Sequence, residues 1–292
     1  MHIFFQSVGF GLVTGSIIAL AAVGVTIQAG ITNFLNFAAG DFMTFGAFFG
    51  YLMLQTLHVG LVLAFISAAV ATALLSVLMN TYIFQGFVRR KARVVTMTIL
   101  TLGISLAMSG VLEIVFGAVD RPYGLNPGRT FSVGPFSWTS EQLVIIIIAV
   151  AILGVLEAGL RLTKMGKALR AMSNNRELAS ASGINTRTLT NITWIVSGAL
   201  LGVAGVVLVM QIGTINPTTG EAYLFLLMAP VVMGGFGRPG GTVLGAYIMG
   251  LVLELSSTYA NAAYADAFAF GVLILVLLVR PNGLFSAPGL HS

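Results

Sequence analysis

The chain has 292 residues, of which 57% are hydrophobic and only 8% are charged. A soluble domain carries about 45–50% apolar and about 25% charged residues, so this composition excludes an ordinary soluble enzyme. There is no cysteine, which excludes disulfides and thiolate metal sites, and the three histidines lie far apart. The net charge of +5 comes from basic residues concentrated in two loops, which indicates membrane topology rather than nucleic-acid binding.

Apolar runs of about 20 residues recur along the whole chain, each long enough to cross the hydrocarbon core of a bilayer. They do not alternate in polarity, as the strands of a membrane β-barrel would. The pattern therefore predicts an all-α, polytopic transmembrane bundle of about 8–9 segments in a single domain, 1–292. The predicted segments are 7–28, 37–56, 60–84, 94–117, 142–162, 191–211, 222–236, 242–259 and 264–280.

A polar stretch, "QAGITNFLNFAAGDF" at 28–42, separates the first two apolar runs. It is too short and too apolar for an ordinary loop, and irregular backbone near the membrane is tolerated only inside protein or beside a water-filled cavity. We predict a broken helix in which Asn33, Asn36 and Asp41 line a translocation pathway. The alternative is a plain turn in which Asp41 caps the next helix.

Two loops are rich in Lys and Arg: "RRKAR" at 89–93 and a longer segment at 163–190. Cytoplasmic loops carry such an excess, and two predicted spans separate these loops, so both can face the cytoplasm. Counting outward places the N-terminus outside and the C-terminus in the cytoplasm. The loop 118–141 then lies outside, with Trp138 and Tyr123 suited to the membrane interface, either as a connector or as a docking face for an external partner.

Three acidic residues, Glu113, Glu157 and Glu254, fall within predicted spans. Acids inside a membrane are costly and are candidates for function, so Glu113 and Glu254 are assigned to the pathway. Each also lies toward a helix end, where snorkelling is an alternative explanation. No His or Lys within a helix completes a proton relay, which disfavours an ion-coupled carrier.

Glycines recur as four G-x-x-x-G pairs, which predict close packing of helices within one bundle rather than dimerisation. The pairs are Gly11/Gly15, Gly46/Gly50, Gly198/Gly202 and Gly241/Gly245. The glycine-rich stretch "GGFGRPGG" at 234–241 lacks the G-K-[ST] ending of a phosphate loop, so the sequence indicates no ATP site.

Six motifs occur in order along nearly the full chain. They are "GSIIALAAVGVTI" at 15–27, "NFLNFAAGDFMTFGAF" at 33–48, "TKMGKALRAMSNNRELASASGI" at 163–184, "GALLGVAGVVL" at 198–208, "GGFGRPGGTVLGAYIMGLVLE" at 234–254 and "RPNGLF" at 280–285. Together they resemble the branched-chain amino-acid ABC permeases of the LivH type. Two positions depart from that pattern: Ala39, where the family usually has His, and Glu113.

The resemblance implies a permease subunit that is not itself an enzyme, in the bacterial cytoplasmic (inner) membrane. Its implied partners are a second permease subunit, two ATP-binding cassette subunits and an external binding protein that delivers Leu, Ile or Val. ATP and Mg would be bound by the partner ATPases, and this chain would bind no cofactor. The alternatives are import of urea or short amides by the same architecture and, with less support, an ion-coupled secondary transporter.

The resemblance also implies a role for the loop 163–190. "RELASASG" at 176–183 is similar to the E-A-A-x-x-x-G signature of ABC importer permeases through Glu177, Ala179 and Gly183. Such a loop folds as a short helix that seats on the ATPase, and Lys167 and Arg170 would accompany it. The alternative is that the basic residues only anchor the topology.

Overall fold

A computed structural model describes residues 2–90, 92–124, 128–134, 136–280 and 283, and most of them are helical. The helices are α1 His2–Thr32, α2 Ala39–Tyr51, α3 Leu61–Met79, α4 Gln85–Arg89, α5 Val94–Phe116, α6 Ser140–Leu162, α7 Lys164–Asn174, α8 Arg176–Ala181, α9 Thr186–Ile212, α10 Thr219–Gly234, α11 Pro239–Ser256 and α12 Ala265–Val279. Three π-helical segments of the described chain continue this pattern: Leu52–Thr56 extends α2, Asn80–Phe84 joins α3 to α4, and Ser257–Asn261 extends α11.

Within the residues that the structure describes, four short strands form two antiparallel pairs. β1 (Arg121–Pro122) pairs with β4 (Thr214–Ile215), and β2 (Thr130–Val133) pairs with β3 (Phe136–Thr139). The first pair ties the loop after α5 to the end of α9, and the second is a hairpin that leads into α6.

Six helical stretches of the described chain are long and apolar enough to cross a membrane. They are Ile3–Thr32, Leu61–Arg89, Val94–Phe116, Ser140–Leu162, Thr186–Ile212 and Pro239–Val279, the last of which contains both α11 and α12. α10 is shorter but also apolar. The predicted all-α, polytopic bundle is therefore confirmed, and each predicted apolar segment corresponds to one of these helices or to α2.

The core of the bundle is built around α1 and α9, whose side chains are mostly buried, whereas α6 exposes most of its surface. Both α1 and α9 are apolar on all sides, as expected for a helix surrounded by protein or lipid. α1 packs along α11 and α9, while α9 also packs against α2 and α3. α2 therefore lies in the middle of the molecule although it is too short to span a bilayer.

Glycines allow these helices to approach closely. A Cβ atom at Gly46 of α2 would meet the Cα atom of Gly202 in α9, and one at Gly15 would lie 3.0 Å from the Cα atom of Tyr247 in α11. Gly245 packs in the same way on Pro230 of α10. The G-x-x-x-G pairs face helices of their own chain, so the predicted internal packing is confirmed.

The two ends of the bundle differ in charge. Six arginines line two cavities around the C-terminal end of α1, namely Arg89, Arg161, Arg170, Arg176, Arg187 and Arg238. At the opposite end, the indole Nε1 of Trp138 donates a hydrogen bond to the Gly9 carbonyl at 3.1 Å, and Phe136 contacts Phe5. We call the first of these ends the basic end.

Tyr123, which the sequence analysis considered suited to the membrane interface, is buried inside the protein. It is 1% exposed, and its hydroxyl donates to the Ala47 carbonyl of α2 at 3.3 Å. Its own carbonyl accepts a hydrogen bond from Gln55 Nε2 at 2.7 Å. Burial raises the pKa of the Tyr123 phenol, because the charged form would lose its hydration.

Candidate functional site

The candidate site begins where α1 ends, at Asn33. This residue has φ 58°, and its amide still donates to the Ala29 carbonyl at 2.9 Å. Asn is one of the few residues besides Gly that tolerates this left-handed conformation, which commonly ends a helix. Asn33 is exposed, so its position explains how α1 stops but does not place its side chain inside the bundle.

Asn36 lies in a buried amide network. Its Nδ2 donates to Gln28 Oε1 at 3.4 Å, and its Oδ1 accepts from the Ala38 amide at 3.1 Å. Ser197 of α9 donates to the same Gln28 oxygen at 3.3 Å. Asn36 and Gln28 are each 1% exposed, so the network connects α1, the chain after it and α9 in the interior.

Asp41 is fully buried in the first turn of α2. Its two carboxylate oxygens accept hydrogen bonds from Ser105 at 2.5 Å and Ser109 at 2.7 Å. The alternative that Asp41 caps α2 is wrong, because the cap position is Ala38 and no side chain caps this helix. The carboxylate instead binds a different helix, α5.

Three residues of α5 form a polar stripe toward this segment. Thr101, Ser105 and Ser109 are spaced by four residues and therefore share one helix face. Thr101 accepts a hydrogen bond from the Phe37 amide at 3.3 Å, and the two serines bind Asp41. The sequence analysis missed this stripe, although polar residues repeating every four positions on an apolar helix are a usable signal.

The opposite side of α2 packs against α10 through glycines. A Cβ atom at Gly40 would meet the backbone of Gly220, and the Gly220 amide donates to Thr44 Oγ1 at 2.8 Å. The segment 33–38 and the start of α2 are thus held by α1, α5, α9 and α10 together. We call residues 33–41 the re-entrant segment, because the chain turns back into the bundle there.

The two other acids assigned to the pathway lie apart from this segment. Glu113 is exposed on α5 and has no polar partner in the described residues. Glu254 of α11 accepts a hydrogen bond from Thr14 at 2.7 Å and borders a cavity of about 250 Å³ with Tyr223 and Asp266. Within the described ranges, no group of three or more His, Cys, Asp or Glu side chains could hold a metal ion.

The loop 163–190 contains two helices, α7 and α8, where a single short helix was expected. Thr163 Oγ1 accepts from the Gly166 amide at 3.0 Å and caps α7, while Asn175 Oδ1 accepts from the Leu178 amide at 2.9 Å and caps α8. Asn175 is extended, so it bends the chain between the two helices. Gly183 follows α8 with φ 83°, a conformation that favours glycine.

One face of these helices is attached to the bundle and the other is free. Leu169, Met172 and Ala179 are buried in a small apolar cluster with Ile31 and Leu189. The opposite face exposes the side chains of Lys167, Arg170, Glu177 and Leu178. Ala179 therefore stabilises the attachment, while the charged members of the predicted coupling set lie on the surface.

A family model described as "Branched-chain amino acid transport system / permease component" matches residues 7–277. The chain belongs to this permease family. The permease is 30% identical to the high-affinity branched-chain amino acid transport system permease protein LivH of Escherichia coli (strain K12), over 98% of this chain and 96% of that protein. It is 26% identical to BraD of Pseudomonas aeruginosa, over 98% and 96% of the two chains.

Among solved structures, the permease is similar to PsaBC from Streptococcus pneumoniae in complex with Fab. The TM-score is 0.51 at 14% sequence identity, with 94% of this chain and 92% of that chain covered, which shows a common fold. The chain is thus a multi-pass membrane permease subunit of an ABC importer, and it is not an enzyme.

Proposed function

We propose that this permease imports branched-chain amino acids, Leu, Ile and Val, into a bacterial cell across its cytoplasmic membrane. The observation that carries the proposal is the match to branched-chain amino acid permeases over 98% of the chain. Its partners are two ATP-hydrolysing subunits that bind ATP and Mg²⁺, a second permease subunit, and an external binding protein that delivers the amino acid.

The substrate is tested by transport into proteoliposomes that contain the assembled complex and its cognate binding protein. Leu, Ile and Val are expected to accumulate only when ATP and Mg²⁺ are present on the ATPase side. Urea and acetamide serve as competing substrates, because Ala39 departs from the family pattern. Accumulation of either one in place of the amino acids would refute the proposed substrate, and uptake driven by a proton gradient without ATP would refute the ABC mechanism.

We further propose that the re-entrant segment gates the pathway through Asn36 and Asp41. The support is that both side chains are buried and polar: Asn36 binds Gln28 of α1, which also accepts a hydrogen bond from Ser197 of α9, and Asp41 binds Ser105 of α5. A movement of α5 would change the hydrogen bonds of Asp41, and a movement of α9 would change those of the amide partner of Asn36. Irregular backbone at this depth is otherwise costly, because its polar groups need partners.

The gate is tested by Asn36→Leu, with Asn33→Gly as the matched control. Asn36→Leu removes the amide that binds Gln28 and is expected to lower uptake severalfold while the protein still inserts and purifies as wild type. Asn33→Gly keeps a residue suited to φ 58° and is expected to transport normally. Normal uptake by Asn36→Leu would reduce the re-entrant segment to a structural turn.

Coupling to the ATPase is assigned to the free face of α7 and α8. This face carries Lys167, Arg170, Glu177 and Leu178, and its opposite side is anchored to α1 and α9 by the apolar cluster. A rigid attachment of this kind allows movement of the ATPase to reach the bundle. Gly183 ends the surface with a turn that has open space around it.

A further inference from the structure

A cavity of about 190 Å³ lies at the basic end, next to the start of the re-entrant segment. It is enclosed by the end of α1, the continuous α3–α4 helix, the start of α8 and the first turns of α9. Three arginines and three aromatic residues define it, namely Arg89, Arg176, Arg187, Phe34, Phe84 and Trp194. No acidic side chain belongs to its lining.

The three arginines provide donors that nothing else in the described chain uses. Arg89, Arg176 and Arg187 make no ion pair there, since the described ion pair joins Arg161 to Glu157. They also take part in none of the described side-chain hydrogen bonds. A guanidinium group stays protonated and presents a planar set of N–H donors that matches the oxygens of a phosphate.

The wall of the cavity contains a further residue with an unused donor. Phe34 stacks on Phe84 with ring centroids 5.6 Å apart, and Phe84 lies 4.7 Å from the Trp194 ring. Trp194 is fully buried, and its indole Nε1 has no hydrogen-bond partner in the protein. Buried donors are nearly always satisfied, so an indole without a partner beside three unpaired guanidinium groups is a second sign that an acceptor is missing from this region.

The remaining polar groups of the cavity are already engaged. The hydroxyls of Thr32 and Thr190 each donate at 2.8 Å to a backbone carbonyl one turn earlier in their helices. The side-chain amides of Asn80 and Gln85 donate to Asn191 Oδ1 at 2.8 and 3.1 Å. The donors that remain unpaired are therefore mostly the guanidinium groups. They favour an anionic ligand that accepts hydrogen bonds.

We propose that this cavity binds the phosphate group of an anionic ligand, held by Arg89, Arg176 and Arg187 above the Trp194 indole. Two sources share this chemistry: the headgroup of an anionic phospholipid and free inorganic phosphate. The position at the end of membrane-crossing helices favours the lipid, because basic pockets between such helices recognise phospholipid headgroups.

The chain contains two tryptophans, so Trp194 can report on its own ligand. In the full-length chain carrying Trp138→Phe, we expect a saturable change in Trp194 fluorescence when phosphatidylglycerol is added to the detergent micelles. Phosphatidylcholine, which has no net charge, should give no saturable change. Inorganic phosphate is titrated separately: saturation at a lower concentration than phosphatidylglycerol assigns the site to the soluble anion, and the reverse assigns it to the lipid.

The arginines are tested by Arg89→Gln and Arg187→Gln, with Arg90→Gln as the matched control. Arg90 is exposed next to Arg89 but does not line the cavity. Each cavity variant should raise the half-saturating concentration about tenfold, as expected for one charged hydrogen bond, and the control by less than about twofold. The circular dichroism spectrum and elution volume of each variant establish that it is folded.

Three results would overturn the proposal. They are no saturable change with either phosphate source, an equal response to phosphatidylcholine, and equal weakening by the Arg90→Gln control. A competing occupant is an acidic side chain of the ATPase, since Arg176 begins α8. If the cavity variants bind both phosphate sources like wild type but lose the ATPase during purification, the arginines serve that protein contact. None of these outcomes depends on which substrate is transported.

Discussion

At the scale of single residues, Asp41 shows what the bundle requires of a buried carboxylate. An isolated acid in a membrane interior is unfavourable, and such groups are found paired or hydrogen-bonded. Here the serines at 105 and 109 donate to both carboxylate oxygens, and the start of α2 adds the favourable field of a helix N-terminus. The arrangement attaches α5, which is otherwise largely exposed, to the centre of the molecule.

Ser109→Ala is expected to destabilise the protein by about 1–3 kcal/mol, because it leaves a buried carboxylate oxygen without its donor. Ser67→Ala is the matched control, since the Ser67 hydroxyl donates only to the Ala64 carbonyl of its own helix. Its effect should stay within about 0.5 kcal/mol. The free energy of unfolding in mixed detergent micelles measures both. An equal decrease in the free energy of unfolding for both variants would mean that the hydrogen bond from Ser109 to Asp41 adds no more stability than an ordinary intrahelical serine hydrogen bond.

At the scale of helices, close glycine contacts decide how the elements pack. Lipid gives little hydrophobic drive for helices to associate, so backbone proximity and van der Waals contact supply the stability. Gly205 of α9 is an extreme example, since a Cβ atom there would collide with the Met43 carbonyl of α2. Gly154 of α6 faces open space.

Gly205→Ala should therefore cost about 1–3 kcal/mol, because one of the two helices must shift to admit the methyl group. Gly154→Ala makes the same chemical change without a collision, and it is expected to be neutral or to stabilise by up to about 1 kcal/mol. Thermal unfolding of the two variants in one detergent compares them. Similar unfolding temperatures for the two variants would show that α2 and α9 can move apart to admit the methyl group without loss of stability.

The turn after α8 permits a test that separates backbone strain from bulk. Gly183→Ala and Gly183→Arg both force a side chain onto φ 83°, at a cost of about 1–2 kcal/mol, and neither Cβ atom meets another atom of the chain. Only the Arg variant adds bulk to the surface proposed to dock the ATPase. We expect it to lower coupled ATPase activity far more than Gly183→Ala does.

Lys167→Ala is the charge control in the same assay, and its effect should be small because one exposed charge contributes little. Stimulation of ATP hydrolysis by substrate-loaded binding protein, measured in reconstituted complexes, gives the comparison. If the Ala and Arg variants of Gly183 are equally impaired, strain is the cause and the turn does not contact the ATPase. If both are normal, α7 and α8 act only as a topological anchor.

At the scale of the whole molecule, charge separates the two ends of the bundle. The arginine-lined cavities surround the end of α1, while the β2–β3 hairpin contacts its beginning. By the positive-inside rule, we propose that the basic end faces the cytoplasm and the hairpin lies outside. The proposed orientation depends on this asymmetry.

Because the chain lacks cysteine, single cysteines report this orientation cleanly. Ser132 of β2 and Ser180 of α8 are both exposed, so each position is open to reagents on its own side. In intact cells, Ser132→Cys should react with a membrane-impermeant maleimide, and Ser180→Cys should react only after permeabilisation. The reverse pattern would invert the orientation and, with it, the assignment of the coupling helices.

Much of this architecture is readable in the sequence, because the bilayer imposes strong and local constraints. Runs of apolar residues must be helices, and every predicted segment corresponds to one. The conflict between polar residues and apolar surroundings at 28–42 correctly predicted an interrupted helix. The family was also recognisable, since its motifs are continuous stretches of chain. The site residues assigned from sequence remain predictions.

What the tertiary structure alone decided are the contacts between residues distant in sequence. Local pattern could not tell that Asp41 binds α5 across 64 residues, that Glu113 is exposed, or that Tyr123 is buried. It also could not bring Arg89 of α4 to the same cavity as Arg187 and Trp194 of α9, because the two helices are far apart in sequence. The sequence determined which segments lie in the membrane through the cost of exposing polar groups to lipid. Which of these segments pack against one another was decided by how the side chains and glycines of separate helices fit together.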